Sequence, residues 1–174
     1  MLAALLAATL AAPVPKAKAP PLYFPTTVGA TWVYERDGGE EAVTVSAVEK
    51  DGDDLVVTRT SADKRGIKYG TVVVSADGLR QPRELADGKV GWVLKTTVRD
   101  GDSWDVPDGG KRTVHGPEEV EVPAGKYQAL RVVWERDGET VTSWYAPDMG
   151  EVKRTTKRGE EEVVFRALKS FQAK

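Results

Sequence analysis

Residues 119–154 read EVEVPAGKYQALRVVWERDGETVTSWYAPDMGEVKR, alternating segments broken by three turn signals, and their reading decides the fold. The strongest signal is Asp137-Gly138, because both residues tolerate the positive φ that a two-residue type I′ hairpin requires. With this pair as the loop, Trp134 faces Val141, Val132 faces Ser143 and Leu130 faces Tyr145. Side chains alternate across a strand, so Leu130, Val132, Trp134, Val141 and Tyr145 fall on one side, the predicted core. Arg131, Val133, Glu135, Thr140, Thr142 and Trp144 fall on the other, which is mostly polar. Upstream, Val122-Pro123-Ala124-Gly125 fixes φ at Pro123 and frees it at Gly125, predicting a three-residue hairpin with a bulge that pairs 119–122 with 126–130. Downstream, Pro147-Asp148-Met149-Gly150 repeats that chemistry and returns 151–157 as a further strand. Trp144 is out of place on the polar side: either a neighbouring segment covers it or it belongs to a binding surface.

The same punctuation runs through the rest of the chain. Seven Asp-Gly pairs, beginning at Asp37, Asp51, Asp77, Asp87, Asp100, Asp108 and Asp137, separate short β-rich runs. Asp37-Gly38 sets Trp32 opposite Val43 and Ala30 opposite Val45, which joins Trp32 and Tyr34 to one apolar face. Gly70 marks a bulge or a close backbone approach in the strand over 67–75, and Pro82 an edge or irregular strand. Gly116-Pro117 interrupts the strand over 111–122. Residues 160–171 favour a strand over a helix through Val163, Val164 and Phe165, with cover expected on both faces. The prediction is an all-β domain: a single antiparallel meander of about ten strands, too many to stay flat, and so a strongly curved half-barrel or barrel.

Three motifs carry a resemblance. Pro25, Gly29, Trp32 and Tyr34 form P-x-x-x-G-x-x-W-x-Y; Val120, Val122, Pro123, Ala124, Gly125 and Tyr127 form V-x-V-P-A-G-x-Y; and Trp144 to Lys153 reads W-Y-A-P-x-x-G-x-V-K. Together, over Pro25 to Arg154, they resemble a family of secreted bacterial β-sheet proteins of unknown function. The resemblance implies an extracytoplasmic antiparallel sheet, loosely similar in architecture to periplasmic lipoprotein carriers. It carries over no catalytic residue.

Composition narrows the function classes. The chain has 174 residues and a formal net charge of −2, with Lys and Arg scattered singly beside Asp and Glu, so no basic groove for nucleic acid is expected. Cysteine is absent, which removes disulfides, thiolate metal sites, thiol catalysis and a lipidated cysteine. Residues 1–11 form a short apolar, signal-like segment with cleavage expected after Ala11, and 12–24 a Pro-, Ala- and Lys-rich linker ahead of a single β domain over 25–174. No stretch is apolar for the ~20 residues of a membrane-spanning helix.

No catalytic, cofactor or metal constellation is legible. His115 is the lone histidine and has no nucleophile motif to serve. Asp51, Asp53 and Asp54 read as turn chemistry, since Leu55 and Val56 stand where a calcium loop needs ligands and Gly. Glu119 and Glu121 share one strand face, whereas carboxylates doing glycosidic chemistry sit across a cleft from each other. The aromatic set Trp32, Tyr34, Trp134 and Tyr145 is either core or the wall of a pocket for an apolar molecule. The sequence therefore points to a secreted or periplasmic domain, not an enzyme, that binds an envelope component or an apolar small molecule. Its alternatives are an interaction module with a filled core and, last, a hydrolase using Glu119 or Glu121.

Overall fold

Asp137 and Gly138 adopt φ of 49° and 79°, the paired positive values of a type I′ turn, and the strands on either side take up the expected register. Trp134 pairs with Val141, Val132 with Ser143 and Leu130 with Tyr145. Asp37 and Gly38 do the same at 49° and 73°, setting Trp32 opposite Val43. The structure is a computed structural model that describes residues 20–62, 67–84, 90–107 and 109–174; for Arg83 and Glu84 it describes the backbone alone. The signal-like segment, its cleavage site, most of the linker and the Asp87 and Asp108 turns lie outside these residues.

The strands are β1 (Thr31–Arg36), β2 (Gly39–Asp51), β3 (Asp54–Ser61), β4 (Lys68–Ser75), β5 (Gly78–Glu84), β6 (Val90–Lys95), β7 (Ser103–Asp105), β8 (Lys111–Val122), β9 (Gly125–Arg136), β10 (Glu139–Ala146), β11 (Gly150–Arg158) and β12 (Glu161–Gln172). They form one antiparallel sheet in the order β6-β5-β4-β3-β2-β1-β12-β11-β10-β9-β8-β7. Two six-strand meanders, one from each half of the chain, are thus joined at the centre by β1 and β12, with Trp32 opposite Phe171.

This order corrects the expected half-barrel or barrel of about ten strands. Among the described residues there are twelve, and the ladder is open, because β6 and β7 at its two ends share no backbone pairing there. Closure needs a run of facing N–H and C=O groups on both end strands. β7 offers three residues, and the β5–β6 register breaks between Arg80 and Glu84, around Pro82. The ends meet instead through side chains: Trp104 Nε1 donates to the Trp92 carbonyl at 3.2 Å, and Arg112 donates to the same oxygen.

Trp32, Val43, Val45, Val57, Leu79, Leu94, Val152 and Leu168 are fully buried. Each such side chain contributes about 1.5 to 3 kcal/mol relative to exposure. The packed body begins before Pro25: Phe24 is buried against Trp32, with ring centroids 5.4 Å apart, and the Leu22 carbonyl accepts from Asp148 N at 2.7 Å. Two local readings are corrected. The Pro123-Ala124 hairpin is a two-residue loop, since Val122 pairs directly with Gly125, and Gly125 takes φ +123°. β12 is not covered on both faces along its length, because Val163 and Val164 are 50% and 55% exposed near the β11–β12 turn. Burial there is confined to Arg166, Ala167 and Leu168, where β12 runs between β1 and β11.

Candidate functional site

A cavity of about 410 Å³ is walled by residues from both meanders, including all four aromatics singled out by sequence, Trp32, Tyr34, Trp134 and Tyr145. Their polar atoms are tied to the frame: Trp32 Nε1 donates to Met149 O at 2.7 Å, Tyr34 Oη to Glu151 O at 2.8 Å and Trp134 Nε1 to Gly109 O at 3.3 Å. Trp32, Tyr34 and Tyr145 are buried, and burial pushes both phenols above their usual range. Trp134 is only half-buried.

The charged floor of the cavity did not emerge from the sequence reading. Glu151 is buried, accepts from Arg166 Nε at 2.8 Å and from Arg154 Nη2 at 2.6 Å, and lies 3.4 Å from the Tyr145 hydroxyl. A bulge makes this possible. Register between β10 and β11 passes from Trp144 opposite Lys153 to Tyr145 opposite Glu151, so Val152 is an extra residue. Glu151 and Arg154, three apart on a strand, therefore reach the same side. Burial raises the Glu151 carboxyl, but the adjacent Arg166 and Arg154 guanidinium groups outweigh it and hold the carboxyl at about 2. Arg166, itself buried, also lies over the Tyr34 ring at 4.8 Å and donates to Tyr69 Oη at 2.6 Å. Tyr69 Oη in turn donates to Glu41 Oε2 at 2.9 Å, which links β12 to β4 and β2.

A second bulge shapes the facing wall. Between β3 and β4, register passes from Arg59 opposite Gly70 to Thr60 opposite Lys68, leaving Tyr69 as the extra residue. Gly70 has φ +151°, and a Cβ there would lie 3.3 Å from Arg59 Nη2, so glycine keeps room for the guanidinium. Arg59 is stacked between rings, 5.4 Å from the centroids of both Phe24 and Tyr69. No ion pair of Arg59 forms among the described residues, and its Nε is shut from solvent without an acceptor. Burial, and then the Arg166 charge, lower its pKa.

The other marked residues lie elsewhere. Trp144 is half-buried on the opposite side, its Nε1 donating to Glu118 Oε1 at 2.7 Å with Lys153 Nζ 5.5 Å over the ring, so neighbouring strands supply its cover. His115 Nδ1 is 3.4 Å from Asp100 Oδ1 at the β8 bulge. Asp54 pairs with Arg80 at 2.6 Å, and Asp51 and Asp54 close the β2–β3 hairpin. Glu119 is paired with Lys126 at 2.9 Å on an exposed surface, and neither it nor Glu121 lines the cavity. Among the described residues, no group of three or more His, Asp or Glu side chains is placed to hold a metal ion.

No protein-family model and no curated protein match the sequence. The fold is shared with the crystal structure of a protein described as "a putative lipoprotein" from Parabacteroides distasonis, at a TM-score of 0.58 and 14% identity, covering 89% of this chain and 100% of that one. A protein described as "a putative exported protein with YmcC-like fold" from Bacteroides fragilis aligns at a TM-score of 0.47 and 15% identity, over 88% of this chain and all 100% of its own. The antiparallel sheet is thus one known from bacterial proteins, whereas the family suggested by the sequence motifs finds no counterpart in a family model.

Proposed function

We propose that this chain is a non-enzymatic binding domain that works outside the cytoplasm and holds a small molecule with an apolar body in the central cavity. The observation that carries the reading is the cavity itself. Its volume of about 410 Å³ falls in the range of small-molecule sites, ~300 to 1,000 Å³, and its walls combine aliphatic and aromatic side chains with as much polar surface, including five arginines and Glu151. The apolar segment over residues 1–11 supports export, and so does a fold held in common with the P. distasonis protein described as a lipoprotein.

The test is native mass spectrometry of the full chain recovered from the envelope fraction of its own source. The expected result is a chain carrying the extra mass of a small molecule, lost when Val132→Trp fills the cavity. The adjacent exposed pair Val163 and Val164 favours a second reading, a protein-interaction module. A bare chain, or one recovered bound to another protein and released by Val164→Asp, would replace the first reading with the second.

A further inference from the structure

Among the described residues that line the cavity, Arg59 is set against aromatic rings with no carboxylate partner, whereas Arg112 donates to the Trp92 carbonyl. Arg166 and Arg154 have Glu151, and Arg80 has Asp54. Arg59 has the Phe24 and Tyr69 rings and a buried Nε with nothing to donate to. Arg154 repeats the pattern in part: its Nη2 is paired with Glu151, yet its Nε is also buried and unanswered, and it lines the same cavity. A buried guanidinium N–H without an acceptor is costly, and native proteins keep such groups where something else supplies the acceptor. Glu151 meets neither need: its oxygens receive Arg166 Nε and Arg154 Nη2, and neither the Arg59 nor the Arg154 Nε has a hydrogen-bond partner.

Taken with the aliphatic wall formed by Val43, Val72, Leu79, Val132 and Val141, the geometry points to an amphipathic anion as the ligand, its anionic head on Arg59 and its apolar body along those side chains. The inference rests on the cavity being a ligand site and goes further by naming the chemistry of what enters it. The head is an oxyanion, because a guanidinium fork matches carboxylate and phosphate oxygens in two parallel bonds and a planar cation stacked on rings is already oriented for it. A neutral alcohol of the same length offers the guanidinium a single hydroxyl oxygen and no charge, so it forms neither the paired bonds nor the ion pair. No covalent step is involved: the head accepts hydrogen bonds and the body displaces water.

The test follows quenching of intrinsic tryptophan fluorescence, since Trp32 and Trp134 line the cavity, during titration of the full chain with laurate, dodecyl phosphate and dodecanol, each below its aggregation limit. Binding of laurate or dodecyl phosphate at least tenfold tighter than dodecanol is expected, and the tighter of the two identifies the head as carboxylate or phosphate. Arg59→Met should weaken the anions by at least tenfold and leave dodecanol unchanged, with Arg59→Gln giving the same result if the first variant folds poorly. Equal binding of anions and alcohol to the wild-type chain would overturn the role of Arg59 while leaving the cavity a ligand site. Failure of all three probes to bind would overturn both.

Discussion

Two β-bulges face each other across the cavity, and the sheet treats them differently. At Val152 in β11, the extra residue brings Glu151 and Arg154 to one side, where Arg166 from β12 completes a buried ion cluster. At Tyr69 in β4, the extra residue brings a phenol ring over Arg59 and supplies no carboxylate. The same device therefore gives one wall guanidinium groups paired with a carboxylate and the other a cation held by rings. A guanidinium paired with a buried carboxylate is part of the frame. One held only by aromatic faces keeps donors that another molecule can use.

The largest effect should come from breaking the paired wall. Glu151→Gln takes the near carboxylate from buried Arg166, leaving it Glu41 at 3.9 Å, and the carboxylate from half-buried Arg154; removing one partner of a buried pair costs about 3 to 5 kcal/mol. Urea unfolding of this variant is expected to show that loss. A loss under about 1 kcal/mol would mean that water screens the cluster, and the contrast between the two walls would disappear.

Acid should produce a somewhat smaller effect through the same residue. The folded-state value of Glu151 lies at about 2, below its ordinary 4.5, so its contribution is present above pH 4.5 and lost as pH falls through about 2. At about 1.4 kcal/mol per pH unit, that window is worth roughly 3 kcal/mol. Stability measured from pH 5 downward should therefore fall more steeply for the wild-type chain than for Glu151→Gln. Parallel curves would show that Glu151 does not carry this linkage.

Much of the frame was legible, because turns are encoded locally. Asp37-Gly38 and Asp137-Gly138 fixed two registers to the residue, and Gly70 announced its bulge. Openness was not legible. Counting strands predicts curvature, but whether the ends zip depends on how much backbone they offer, and β7 at Ser103–Asp105 offers too little. The charged cluster was missed because period-two reading assumes an unbroken strand. Under strict alternation Glu151 and Arg154 fall on opposite faces, and only the extra residue at Val152 reunites them. One signal was present: Arg166 sits inside the apolar run Val163 to Leu168, where a strand residue flanked by Val, Phe, Ala and Leu is buried more often than not and a charge demands a partner. Arg59 carries no such signal, because a single arginine within Leu55 to Ser61 fits the polar face of an ordinary strand.

Tyr69→Phe tests how far the two walls depend on each other. Its hydroxyl accepts from Arg166 and donates to Glu41, so removing it cuts a side-chain path between β12 and the bulge of β4. Hydrogen bonds to charged groups are worth about 1.5 to 3 kcal/mol, and a loss in the lower part of that range is expected, since the ring and its contact with Arg59 remain. If Tyr69→Phe costs as much as Glu151→Gln, the walls form one cooperative unit, and the distinction between frame and available cation fails.

The smallest change should come at Arg59, and its smallness is the sharpest point of the comparison. Stacking between Phe24 and Tyr69 is worth about 0.5 to 2 kcal/mol, against the cost of keeping an unpaired guanidinium partly out of water. Met matches the length of the side chain, keeps contact with both rings through its sulfur, and needs no acceptor. Arg59→Met in the ligand-free chain should therefore change stability by less than about 1 kcal/mol in either direction. A loss of more than about 2 kcal/mol would place Arg59 with Arg166 among the residues that hold the sheet together, and the cation of the facing wall would no longer be free for a ligand.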